Sequence, residues 1–303
     1  MIWEGVFPAI TTPFVDDLSI DEPFLARHVD WMVASGARGI VPLGSLGEGA
    51  TLSFAEKQRV LQICREAIGG RVPLVPGIAA LSTAEACALA REAELQGCDG
   101  LMVLPPYLYR GDRRETEAHF RAVIEATALP CMLYNNPIAY GTDVLPEQLA
   151  GLARDLPRLV AVKESSADLR RLTALRALLG SRLALFVGVD DLLLEGVEAG
   201  AVGWIAGLVN ALPIESVRLF DLARAGLSDP EQRGAALRLY EWFLPLLRLD
   251  TVPKFVQLIK LVQQEVGMGS PRVRPPRYEL DDGELECMRA LIRESLARRP
   301  VMV

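Results

Sequence analysis

Histidine is almost absent from this chain: His28 and His119 are the only two in 303 residues. Both fall in helical patterns, so neither a zinc aldolase centre nor a Ser-His-Asp triad has a histidine to build on, and no metal site is expected. Lysine is nearly as scarce, with four residues against twenty-eight arginines. The five cysteines (Cys64, Cys87, Cys98, Cys131, Cys287) are odd in number, lack C-x-x-C spacing and mostly occupy apolar segments. They read as small buried hydrophobes in a reducing compartment, so a cytoplasmic location is expected. No run of eighteen apolar residues occurs, and Glu4 and Pro8 interrupt an N-terminal stretch that has no basic flank. Neither a membrane span nor a signal peptide is expected. No G-x-G-x-x-G follows the first strand candidate and P-loop spacing is missing, which argues against a dinucleotide fold and nucleotide phosphate transfer. Basic charge is also in deficit: 32 Lys and Arg against 39 Asp and Glu leave a net charge of −7. Such a surface repels phosphate backbones and anionic membranes, which excludes both as expected partners.

What is present is alternation. Eight short apolar runs begin near residues 5, 39, 72, 100, 130, 159, 183 and 203, and amphipathic stretches separate them: 22–34, 53–67, 82–96, 113–126, 146–154, 169–179, 192–199 and 214–225. Ser53-x-x-Glu56 and Ser82-x-x-Glu85 are helix-start signals. Alternating β and α units require a parallel sheet, and near-continuously apolar strands require burial on both faces. Eight repeats in residues 1–225 match a (β/α)₈ TIM barrel, with a doubly wound sheet as the rival. Beyond Gly226 the strand signal stops, and 230–249, 252–264 and 281–297 read as helices. Residues 226–303 are therefore expected to form a C-terminal helical extension, with Arg272, Arg274 and Arg277 in a solvated connection.

Reactive groups in a barrel belong at the C-terminal ends of its strands. The sixth strand candidate, Leu159–Lys163, ends in one of the four lysines, whereas Lys57, Lys254 and Lys260 lie in helical patterns. An ammonium at an apolar mouth is partly desolvated, which lowers its pKa and frees a lone pair to attack a carbonyl. A lysine paired with Glu164 is the plainer alternative. The fifth strand candidate ends in Tyr134-Asn135-Asn136-Pro137, placing a phenol beside Lys163 that could pass protons, or simply hydrogen-bond to the turn. The second is followed by Gly44-Ser45-Leu46-Gly47-Glu48-Gly49, where glycines let backbone amides converge on an anion. Gly188-Val189-Asp190-Asp191, after the seventh strand candidate, could form a similar nest or an ordinary turn, and Gly200–Gly207, at the eighth, could hold a phosphate, with close backbone packing the simpler account. Glu48, Glu164 and Asp190 could be imagined as an enolase-like Mg²⁺ set, but they sit on different strands.

Taken together, Gly5–Phe14, Gly44–Glu48, Leu104–Tyr107, Tyr134–Pro137, Val160–Ser165 and Gly188–Asp191 resemble the dihydrodipicolinate synthase and N-acetylneuraminate lyase family. These are Schiff-base lyases on a (β/α)₈ barrel with three C-terminal helices, and the resemblance covers almost the whole chain. It implies that Lys163 forms an imine, Tyr134 relays protons and Ser45 hydrogen-bonds Tyr134. It further implies that Gly44, Leu46, Gly47, Tyr107, Gly188 and Ile205 line a pocket for a 2-oxo acid such as pyruvate. No cofactor is implied, and a homotetramer built as a dimer of dimers is. Three positions depart from the synthases: Leu46 replaces a second loop hydroxyl, Leu108 a tyrosine that crosses the subunit interface, and Ala139 an arginine that grips a second carboxylate. The departures favour a 2-oxo acid aldolase or dehydratase over a true synthase. A 1-pyrroline-4-hydroxy-2-carboxylate deaminase and a non-catalytic 2-oxo acid-binding relative are the alternatives.

Overall fold

In the computed structural model, which describes residues 2–301, the apolar runs line up side by side as a parallel sheet. The strands are β1 (Gly5–Pro8), β2 (Gly77–Ile78), β3 (Leu101–Val103), β4 (Cys131–Asn135), β5 (Leu159–Glu164), β6 (Ala184–Val187) and β7 (Gly203–Ala206). They neighbour one another in the order β1-β7-β6-β5-β4-β3-β2. The expected strand at 39–43 is not a regular ladder. Prolines 42, 73 and 76 have no N–H to donate, so pairing there contracts to two parallel bridges, Ala9 with Val41 and Ile40 with Leu74. Those bridges nevertheless join β1 to the segment before β2. Val41 N donates to Pro8 O at 2.9 Å, Ile10 N to Val41 O at 3.0 Å, and Val75 N to Ile40 O at 2.9 Å, closing the sheet into a barrel.

The helices are α1 (Glu22–Ala34), α2 (Phe54–Ile68), α3 (Thr83–Leu95), α4 (Arg113–Glu125), α5 (Pro137–Tyr140), α6 (Pro146–Asp155), α7 (Arg170–Leu179), α8 (Leu193–Glu198), α9 (Pro213–Ala225), α10 (Pro230–Leu247), α11 (Phe255–Glu265) and α12 (Asp282–Ala297). The Ser53-x-x-Glu56 signal is a complete capping box, and the Ser82 hydroxyl accepts from Glu85 N at 3.2 Å. Only α5 has no counterpart among the expected helices. Asn136 caps it, Pro137 opens it, and Gly141 at φ +70° ends it after one turn.

Aromatic rings fill the barrel floor. Phe7 and Phe186 meet edge-on with centroids 5.3 Å apart, and Trp3 stacks on Phe7. The Phe186 ring lies directly over Gly203, where a methyl group would overlap it. His28 and His119 are buried in α1 and α4, and the His28 Nε2–H donates to Asn210 O at 2.8 Å. No helix among the described residues is long and apolar enough to cross a membrane.

The expected solvated connection at 272–277 is instead a tie between the C-terminal helices and the barrel. Lys260 of α11 forms a 2.6 Å ion pair with Glu48, both side chains buried, and Arg274 N donates to the other Glu48 oxygen at 3.0 Å. Arg274 also pairs with Glu56 at 2.6 Å and lies over the Phe14 ring, while Arg272 pairs with Asp16. The loop that carries Ser45 is thus held from behind by residues more than two hundred positions away. Proline and arginine suggested a loop here, but nothing local in the sequence reveals its buried partners.

Candidate active site

All strands run parallel, so their C-terminal ends share one mouth, and the residues singled out from sequence collect there. Lys163 is the penultimate residue of β5, opposite Tyr134 of β4 on one side and Phe186 of β6 on the other. Its Nζ sits 4.0 Å from the centre of the Tyr134 ring. Burial pushes the ammonium pKa down to about 8, against the opposing pull of Asp250 and Asp190. Glu164 is not its partner. Successive strand residues face opposite sides, and Glu164 accepts from Asn135 Nδ2 at 3.1 Å and Ser166 N at 2.7 Å.

Tyr134 is buried, which pushes its phenol up to about 12, and Asn136 Nδ2 donates to its oxygen at 3.0 Å. The Asn-Asn-Pro turn therefore does satisfy this hydroxyl, as well as positioning it. Ser45 does not reach Tyr134. Its Oγ is hydrogen-bonded to the hydroxyl of Tyr140, a residue the sequence reading passed over. Tyr140 is delivered by α5 and packs edge-on against Tyr134, centroids 5.7 Å apart, while Tyr107 from the loop after β3 lies 5.6 Å from it. Burial raises the pKa of both Tyr107 and Tyr140. Three phenols and a serine hydroxyl thus occupy one side of the mouth. The Asn-Pro start and Gly141 stop that bracket α5 were the signal for Tyr140.

The Gly44–Gly49 loop turns sharply, with Leu43 at φ +64° and Glu48 at φ +53°. Thr12 Oγ1 donates to Gly47 O at 2.6 Å, and Gly47 lies so close to Ile10 O that a Cβ would approach it to 2.8 Å. Among the described residues the amides of Ser45, Leu46 and Gly47 have no acceptor, so they remain free for an anion. Ile205 is buried in β7 next to Phe7.

Gly188 has a steric reason to be glycine: a Cβ there would overlap Ser165 Oγ and come within 2.6 Å of Lys163 Cε. Gly188→Ala should therefore displace the lysine and lower kcat about 10- to 100-fold, with a melting temperature lowered by overpacking, as thermal unfolding beside an activity assay will show. Unchanged kcat would mean that the lysine has room to spare.

Glu48, Glu164 and Asp190 do not form one cluster. Glu48 belongs to Lys260, Glu164 to Asn135, and Asp190 accepts from the Trp204 indole at 2.9 Å and the amides of Gly207 and Leu208 at 3.1 and 3.0 Å. Beside Asp190 lies Asp250, which ends the single turn Arg248–Asp250 after α10 and which the sequence reading did not single out. Burial and the neighbouring Asp190 raise its pKa well above the usual carboxylate range.

Compared with known families, residues 3–295 match the profile of the Dihydrodipicolinate synthetase family. The chain belongs to that family. A 4-hydroxy-tetrahydrodipicolinate synthase from Methanopyrus kandleri is 35% identical over 287 residues, covering 94% of each chain. Among solved structures, a putative dihydrodipicolinate synthetase from Pseudomonas aeruginosa superposes with a TM-score of 0.90 at 32% identity, covering 97% of this chain and 100% of that one. A prophage protein of the same family from Escherichia coli K12, solved in complex with pyruvate, gives 0.90 at 25% identity, covering 98% and 99%. The fold is thus that of the family's TIM barrels, and the protein is a lyase of the class I aldolase type.

Proposed function

We propose that this family member forms a Schiff base between Lys163 and a 2-oxo acid carrying a single carboxylate, and that it is an aldolase or dehydratase rather than a dihydrodipicolinate synthase. The observation that carries the reading is Lys163 itself: buried at the barrel mouth, without a carboxylate in ion-pairing distance among the described residues, and with its pKa pushed down to about 8. A lysine so placed is roughly one tenth free amine at pH 7, against less than about a thousandth for an exposed lysine, and Schiff-base formation requires that free amine. The free amides of the Gly44–Gly47 loop suit the substrate carboxylate. The pyruvate held by the Escherichia coli relative supports the same ligand class here.

In this mechanism the Lys163 nitrogen adds to the 2-oxo carbon, and the resulting carbinolamine loses its hydroxyl as water with a proton from Tyr134. Asn136 and the Tyr140–Ser45 pair hold that phenol and link it towards the mouth. Tyr134→Phe should lower kcat by about 10² to 10⁴ with KM and melting temperature little changed, because it removes only a proton-transfer group. Steady-state kinetics checks this; wild-type turnover would leave Tyr134 a packing residue.

A second reading, deamination of 1-pyrroline-4-hydroxy-2-carboxylate, rests on Ala139. This residue leaves no cation in α5 for a second carboxylate, and the cyclic imine has only one. Lys163 would attack the same carbon type, opening the ring. The deciding experiment is a panel of 2-oxo acids and this pyrroline carboxylate, assayed for turnover, ammonia release and borohydride-dependent inactivation. Ammonia from the pyrroline alone selects the deaminase, turnover of open-chain 2-oxo acids selects the aldolase or dehydratase, and binding without turnover of any of them would return the protein to a non-catalytic role.

A further inference from the structure

We propose that Asp250 supplies the proton for a leaving hydroxyl, so that the enzyme removes water from a 4-hydroxy-2-oxo acid rather than cleaving its C3–C4 bond. The proposal rests on the Lys163 imine argued above.

Two strand ends are bare for two side chains. Gly188, after β6, leaves room for Lys163, and Gly207, after β7, leaves room for Asp250: a Cβ on Gly207 would overlap Asp250 Oδ1 and stand 2.6 Å from its Cγ. The two side chains so accommodated are close enough for the Asp250 carboxyl to bear on both Lys163 and Tyr134. Asp250 Oδ1 is buried, yet no protein group hydrogen-bonds to it. Such an orphaned oxygen is costly in a folded interior and calls for a partner from outside the chain.

The adjacent carboxyl is treated in the opposite way. Asp190 takes N–H donors from Trp204, Gly207 and Leu208. Of two neighbouring acids, the one with three donors keeps the negative charge and the one with none keeps the proton. Asp191, next to Asp190 in the single turn Asp190–Leu192, adds further negative charge, opposed by Lys163. Asp250 is therefore a neutral carboxylic acid at the edge of the reacting centre. A carboxyl holding its own proton cannot be the base that C3–C4 cleavage needs at the 4-hydroxyl, so the part Asp250 can take there is that of an acid. Expelling that hydroxyl needs an acid.

The step balances. Tyr134, having protonated the departing carbinolamine hydroxyl, takes a C3 proton from the iminium and leaves the enamine. The enamine electrons move to form the C3–C4 double bond as the C4–O bond breaks, and the oxygen leaves as water with the Asp250 proton. Water then adds to the conjugated iminium at C2, returning a proton to Asp250, and collapse of the carbinolamine frees Lys163 and a 2-oxo-3-enoate.

The test uses Asp250→Asn with two probes, 4-hydroxy-2-oxopentanoate and its 4-fluoro analogue, since fluoride leaves without a proton. Lys163 labelling by pyruvate and borohydride is measured in parallel. Expected is a fall in water elimination from the hydroxy acid of about 10² to 10⁴, followed by enone absorbance, with fluoride release within about threefold of wild type and labelling retained. Equal loss on both probes, undiminished elimination from the hydroxy acid, or pyruvate as the wild-type product would overturn the proposal. Failure of wild type to label at Lys163 would overturn the Schiff-base reading and this proposal with it, whereas labelling with any of the former outcomes overturns the role of Asp250 alone.

Discussion

Lys163→Met should abolish turnover, lowering kcat by at least about 10⁴, while the protein remains folded. Methionine keeps most of the length and apolar stem of lysine, so packing against Tyr134 and Gly188 survives and only the nucleophile is lost. Lys163→Arg should be equally inactive, because a guanidinium holds its proton at any working pH and has no lone pair to offer. The wild-type rate of imine formation should carry the signature of burial. Because the lysine pKa is lowered to about 8, the free amine increases as pH rises through that value, and labelling by a 2-oxo acid should rise with it and level off by about pH 9. A midpoint near 10, the range of an exposed lysine, would show that desolvation does not activate this residue. Near-wild-type turnover by Lys163→Met would remove the nucleophile from the mechanism altogether.

Condensation of pyruvate with aspartate semialdehyde should be slow, with kcat/KM at least about three orders of magnitude below that expected of an efficient synthase. The semialdehyde brings a second carboxylate to the mouth. A bidentate arginine contact to such a group is worth about 1.5 to 3 kcal/mol. Ala139 stands exposed on α5 and offers nothing comparable. Leu108, at φ +70° and 93% exposed, has no hydroxyl to contribute to a proton relay. Arg113, at the start of α4, is tied to Glu117 at 2.7 Å, whereas the guanidinium of Arg110, in the loop after β3, packs against Gly141, the residue after Tyr140. Arg110→Ala therefore belongs in the assay. Efficient condensation, together with rescue of a diaminopimelate auxotroph, would contradict the reading of Leu46, Leu108 and Ala139; loss of that activity in Arg110→Ala would identify Arg110 as the substitute clamp. The curated relatives at about 35% identity carry the synthase name, which makes this the sharpest test of how far function follows family here.

The barrel was legible because period and spacing report it directly: apolar runs alternate with capped amphipathic stretches, and most helix boundaries agree within one or two residues. The second strand was misjudged for a local reason, since GIVPL is apolar enough for a strand while Pro42 and its neighbours Pro73 and Pro76 prevent a full ladder. Lys163 and Tyr134 could be read as site candidates because strand ends define the mouth, and their cross-strand pairing follows from the register. Tyr140 was hidden in a four-residue helix that pattern matching reads as a turn. Asp250 lay beyond reach because it comes from the C-terminal segment, and only the folded chain brings it next to Asp190 and Gly207. The Glu48–Lys260 pair was hidden in the same way, its partners being 212 residues apart.

The most direct measurement is reduction with borohydride in the presence of pyruvate, followed by peptide mass analysis of wild type and Lys163→Met. Wild type should gain the mass of one reduced pyruvyl group on the peptide bearing Lys163, with matching loss of activity, and the variant should gain nothing. Folded wild-type protein that stays unlabelled by pyruvate and other 2-oxo acids, or that is labelled at Lys57, Lys254 or Lys260 instead, would contradict the account.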